Sequence, residues 1–132
     1  PMVEQAVHTR IVARLDPPLG LGLRVGKEQR FAALRALVGK GDIHTGDAAF
    51  DAAFHVSGGD AEAVVSALGD KARAGLLSLR AEGAEIAVSD EAITLAFTRE
   101  MKDPEELDAR ISEAAAVARA LRARASTGSP YR

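Results

Sequence analysis

GDIHTGDAAFDAAFHVSGGD, residues 41–60, decides both how the chain folds and where it could do chemistry. The run holds four aspartates, two of the three histidines and two of the four phenylalanines. Its centre, Asp47-Ala48-Ala49-Phe50-Asp51-Ala52-Ala53-Phe54-His55, satisfies two incompatible periods. Wound as a helix, Asp47, Asp51 and His55 fall about 6 Å apart on one face, close enough for neighbours to share a metal ion or a proton. Extended as a strand, the same spacing covers about 13 Å, and no two of the three reach one ion. The strand puts Phe50, Ala52, Phe54 and Val56 on a buried face, with Asp51, Ala53 and His55 on the other. Gly46 and Ser57-Gly58-Gly59 bound it at strand length. The density of alanine, a strong helix former, argues for the helix.

Within this run, Thr45-Gly46-Asp47-Ala48-Ala49-Phe50-Asp51-Ala52-Ala53-Phe54-His55-Val56 resembles the T-G-D-x-x-F-D-x-x-F-x-V segment of uncharacterised bacterial proteins. Many of those are membrane-anchored and carry a soluble domain of unknown function. The resemblance implies a strand here, followed by helices, a hairpin and a last helix, over residues 43–121. It implies no reaction, substrate or cofactor and supplies no catalytic residue. The expectation is therefore a strand whose opening turn is capped or closed by Asp47. Asp51 and His55 then lie on the polar face or pair across the sheet with Arg10, Arg14 or Arg24. Asp47, Asp51, His55 and Arg24 are the candidate contacts for a ligand or partner. None is assigned a catalytic, cofactor-binding or metal-binding role.

Outside this run, the 132 residues suffice for one domain with its own core. We expect a single domain over residues 1–124 and a loose tail over 125–132. The composition, 47% hydrophobic and 27% charged, is that of an ordinary globular protein, and with aromatics at 4% the core falls to Leu, Val, Ile and Ala. A formal charge of -2 gives no field to gather nucleic acid or anionic lipid. The lack of cysteine removes disulfides, thiolate metal sites and cysteine nucleophiles, and favours a reducing compartment, the cytoplasm. No apolar run approaches the roughly 18 residues needed to span a bilayer. Pro1 ahead of Met2 reads as a tag scar before a start methionine or as a fragment boundary; the second reading leaves room for a membrane anchor in flanking sequence.

Two stretches alternate: residues 7–15, and 19–26 after Asp16-Pro17-Pro18. They are expected to form a hairpin. Gly20, Gly22 and Gly26 miss the G-x-G-x-x-G spacing by one position, and their alternation points to a strand rather than a phosphate-binding turn. Residues 28–38 carry a short amphipathic helix closed by Gly39. Asp60 caps a helix over 61–68, and Gly69-Asp70 repeats the device for 71–81, where Gly75 weakens the helix but permits close packing. Residues 84–88 and 92–98 form a second hairpin around Ser89-Asp90-Glu91. Asp103-Pro104-Glu105-Glu106 opens the longest helix, with Leu107, Ile111, Ala114, Val117, Ala118 and Leu121 as its buried stripe. Arg119, Arg122 and Arg124 crowd its end, where cations oppose the helix dipole; an anion or partner patch is the other reading.

These elements predict an α+β domain: a mainly antiparallel sheet of about five strands, with about four helices on one face. His8 and His44 read as surface or turn residues, and Ser57, Ser66 and Ser78 lack a nucleophile-elbow motif. With no clustered reactive set, no cofactor is expected. The expected function is a non-catalytic domain that binds a protein partner or itself. The alternative is a small-ligand site or enzyme with a polar pocket near Asp51 and His55.

Overall fold

β-Branched and leucine side chains line up in rows across five strands, and these rows position everything else. The computed structural model describes residues 8–26 and 43–127. Strands β1 (Thr9–Arg14), β2 (Arg24–Gly26), β3 (His55–Ser57), β4 (Glu85–Ser89) and β5 (Ala92–Phe97) form one sheet in the order β1-β5-β4-β2-β3. Every neighbouring pair is antiparallel. The register puts Val56, Val25, Val88, Ile93 and Ala13 in one line across the sheet, with Ile11, Leu95 and Ile86 in a second. All but Ala13 are buried, so one face of each strand supplies the core.

Among the described residues, four helices cover that face: α1 (Ala48–Ala53), α2 (Ala61–Ala67), α3 (Asp70–Ala81) and α4 (Pro104–Thr127). Phe50, Val64, Leu68, Leu76, Leu79 and Leu121 join the strand residues in one core. The α+β architecture, with an antiparallel sheet and helices on one side, is as predicted. The helix expected over residues 28–38 lies outside the described residues.

The first hairpin is a correction. Among the described residues β1 pairs with β5, and β2 with β3 and β4, so the β4–β5 hairpin is inserted between the two strands. The connection from β1 to β2 instead crosses the turn of that hairpin. Leu15 N–H donates to the Glu91 carbonyl and Leu19 N–H to the Asp90 carbonyl. The Asp90 carboxylate accepts from Gly22 N–H at 2.8 Å and Leu23 N–H at 3.0 Å. The alternation over 19–26 is a strand only at its end, because Gly20 (φ 72°) and Gly22 (φ 66°) adopt left-handed conformations that no strand contains. Gly22 also lies close to the backbone of Gly59, where a Cβ would stand 3.4 Å from the amide nitrogen.

The later elements follow their local signals. Asp60 Oδ1 accepts from Glu62 N–H at 3.0 Å, capping α2. α3 departs from expectation at its start: Gly69 is the cap residue and makes no side-chain capping bond, while Asp70 falls inside the first turn. Asp103 caps α4 through Glu105 N–H, and the helix runs 24 residues, through Thr127. Ala114, Val117, Ala118 and Leu121 are buried as expected, but Ile111 is 44% exposed and Leu107 only half-buried. The inward position is taken by Arg110, whose side chain is 12% exposed and meets Glu82 at 2.8 Å. Arg110, four residues before Ala114 and seven before Val117, lies on the same stripe as those buried residues.

Gly75 sits where α3 crosses α4, and a Cβ there would stand 2.5 Å from a Val117 methyl. Alanine would gain about 1 kcal/mol of helix propensity but overpack this contact, at a cost of about 1–3 kcal/mol. Gly75→Ala is expected to lower the urea midpoint, and Val117→Ala added to it should cost less than Val117→Ala alone. A Gly75→Ala variant more stable than the parent would show that the crossing has room to spare.

Candidate functional site

The residues that looked chemical are held by the backbone around them. Residues 48–53 are helical rather than extended, which corrects the strand expected across this run; the strand begins only at His55. Asp47 is the N-cap of α1: its Oδ1 accepts from Phe50 N–H at 3.2 Å, and its Oδ2 accepts from Arg73 Nε at 3.1 Å. The Asp51 carboxylate points back over the turn before the helix. It accepts from Thr45 N–H at 3.0 Å, the Thr45 hydroxyl at 2.8 Å and Gly46 N–H at 3.2 Å. Thr45 Oγ1 in turn accepts from Asp47 N–H at 3.1 Å. Gly46, at φ 91°, makes the turn that brings these donors together.

Each lettered position of T-G-D-x-x-F-D-x-x-F-x-V therefore has a structural job. Thr45 and Asp51 lock the turn, Gly46 bends it and Asp47 caps the helix. Phe50, Phe54 and Val56 enter the core, the two rings 4.8 Å apart. The helical i, i+4 pair of carboxylates exists, but both carboxylates accept backbone N–H groups at the start of the helix. His55 does not continue their face, because Phe54 is already extended (φ -131°, ψ 148°). It is buried at 3% exposure on β3, in register with Gly26, and not on a polar face as expected. Among the described residues, no group of three or more histidine, aspartate or glutamate side chains is arranged to hold a metal ion.

The electrostatics follow from these contacts. The Phe50 N–H and then the Arg73 guanidinium hold the Asp47 carboxyl below its ordinary range. Burial pushes the Asp51 carboxyl up, but the Thr45 N–H, the Thr45 hydroxyl and the Gly46 N–H outweigh it and hold the group low. Arginines do pair with this region, though not those expected. Arg73 of α3 serves Asp47, while Arg24 stands exposed on β2 opposite Ser57 and Ser89. Arg10 and Arg14 are exposed on β1, at one edge of the sheet, flanking the half-exposed Val12.

Next to this turn lies an open groove of about 1370 Å³ between α2, the start of α3 and the second half of α4. Its apolar surface is made of small side chains: Ala61 and Val65 from α2, Ala116, Ala120 and Ala123 from α4. Ala116 is exposed and lines this groove. Lys71, Arg73, Arg119 and Arg124 supply positive charge, Glu62 and Asp70 negative charge. Arg73 is committed to Asp47, to Asp70 at 2.6 Å and to the Leu68 carbonyl at 2.6 Å. Arg124 reaches over Gly69, where a Cβ would stand 2.9 Å from its Nε, and donates to the Ser66 carbonyl. Arg122 donates to the Pro17 carbonyl. The arginines at the end of α4 thus tie the helix to its neighbours as well as opposing its dipole.

Sequence reading passed over this groove. The signal present was a second stripe on α4, Ala116, Ala120 and Ala123, beside the buried one. Of the candidate residues, the structure brings Asp47 and Asp51 to one turn and leaves His55 and Arg24 on the neighbouring strands β3 and β2. No protein-family model, curated protein or solved structure matches the chain.

Proposed function

We propose that this chain is a non-catalytic interaction domain whose docking surface is the groove between α2, α3 and α4. The observation that carries this reading is the groove's make-up: it is open, floored by alanines and a valine, and larger than the roughly 300–1,000 Å³ of typical small-ligand pockets. Small side chains let another backbone approach closely, as an amphipathic segment in a groove requires. The alternative, a ligand or catalytic pocket on Asp51 and His55, has less support, because Asp51 is occupied by Thr45 and Gly46 and His55 is buried away from it.

A protein partner is favoured over self-association through the exposed strand edge. Antiparallel pairing of two β1 strands about Val12 would set Arg10 opposite Arg14, a like-charge pair. No helix among the described residues is long and apolar enough to cross a membrane. The absence of cysteine and the resemblance to membrane-anchored proteins support placing the domain in the cytoplasm or on the cytoplasmic side of an anchor.

The test uses Ala116→Trp, which fills the groove from an exposed position. Proteins retained on the immobilised parent chain should be lost on this variant and kept on Val12→Ser, altered on the opposite side of the sheet. Identical retention by all three removes the groove from the reading. A chain that is strictly monomeric and retains nothing removes the interaction function itself.

A further inference from the structure

Resting on the groove reading, we propose that its occupant is an acidic amphipathic helical segment of a protein partner. Its apolar side would lie on Ala61, Val65, Ala116 and Ala120, and its carboxylates would face Lys71 and Arg119.

The charge distribution around the groove carries this. The chain as a whole is slightly acidic, at -2, yet the groove is locally basic. Of its two acidic residues, Asp70 is already paired with Arg73 at 2.6 Å, so Glu62 is the one left to oppose the remaining cations. Arg73 is shared by Asp47 and Asp70, which leaves that cluster one negative charge to set against Lys71, Arg119 and Arg124. Lys71 and Arg119 are exposed, line the groove and have no ion-pair partner among the described residues. Arg124 beside them is engaged within the chain and donates to the Ser66 carbonyl. Lys71 and Arg119 therefore border an apolar floor, the complement of a helix with small or apolar residues on one face and Glu or Asp beside them. A basic segment would meet the cations unscreened, and a purely apolar one would leave them facing it.

The experiment is selection from a random displayed-peptide library against the intact chain, followed by titration of synthetic versions of the enriched peptides. Enriched sequences should place acidic residues beside small or apolar ones at helical spacing. Each of Lys71→Glu and Arg119→Glu should weaken their binding by about tenfold, and replacing the peptide carboxylates with lysine should restore binding to Arg119→Glu. Should either variant fail to fold, Glu-to-Gln changes in the peptide must produce the same loss. Enriched peptides that are neutral or basic but lost on Ala116→Trp overturn the acidic occupant and leave the groove reading standing. Peptides indifferent to Ala116→Trp overturn both. A library that yields nothing, while inorganic phosphate or citrate raises the melting temperature of the parent and not of Arg119→Glu, replaces the segment with a small anion and overturns the proposal.

Discussion

Phe50→Ala is expected to destabilise the domain by about 3–5 kcal/mol, the usual cost of emptying a buried aromatic site. Phe50 is fully buried, is the buried residue of α1 and stacks at a tilt on Phe54. Its removal leaves α1, a helix of six residues, with little to hold it to the core. So short a helix has no stability of its own and depends on packing. Because domains of this size are stable by only about 5–15 kcal/mol, the melting temperature should fall by more than about 10 °C. Ala52→Glu is the informative companion. In the helix Ala52 is exposed, and the change should stay within about 0.5 kcal/mol. Were the run a strand, Ala52 would share the buried face of Phe50 and Phe54, and a glutamate there would be severe. Thermal melts in which Ala52→Glu falls as far as Phe50→Ala would restore the strand.

The same pair of residues explains why this run resisted reading. Positions 50, 52, 54 and 56 share a parity, so apolar residues at 50, 54 and 56 fit a strand as well as they fit a helical i, i+4 step followed by an extended residue. What decides between them is the Thr45–Asp51 contact across six positions, which belongs to neither period. Elements whose signals are local were readable. Ser89-Asp90-Glu91 between two alternating runs does give a hairpin, and Asp103-Pro104 does open the long helix. Pairing was less readable than strands: alternation in residues 9–14 names a buried face but no partner, and the hairpin that separates β1 from β2 arrives some sixty residues later. Arg110 rather than Ile111 takes the inward position, where it meets Glu82 just past the end of α3. The groove needs the relative placement of α2 and α4, which no single stretch encodes, although its alanines were all in view.

Asp51→Ala is expected to lower stability by about 2–3 kcal/mol, through donors left without an acceptor rather than through lost chemistry. The Asp51 carboxylate, 16% exposed, serves the N–H groups of Thr45 and Gly46 and the Thr45 hydroxyl, and the Thr45 hydroxyl oxygen in turn receives Asp47 N–H. Removing it releases the turn that aims Asp47 at the helix, so the cap and the Arg73 contact should loosen together. Asp51→Asn keeps an acceptor oxygen of similar reach and should cost less. The pH dependence has a definite sign. The folded-state carboxyl is held below its ordinary value, so its contribution is fully present above the unfolded carboxylate value of about 3.9 and is lost as pH falls through the lower folded value. The stability gap between the parent and Asp51→Asn should therefore be widest near neutrality and narrow progressively below about pH 4. Urea denaturation across that range measures it. A gap that stays constant through the acid limb would mean that the ionised carboxylate is not what locks the turn. An Asp51→Ala variant that melts with the parent yet loses binding of a peptide held in the groove would return this residue to the functional site.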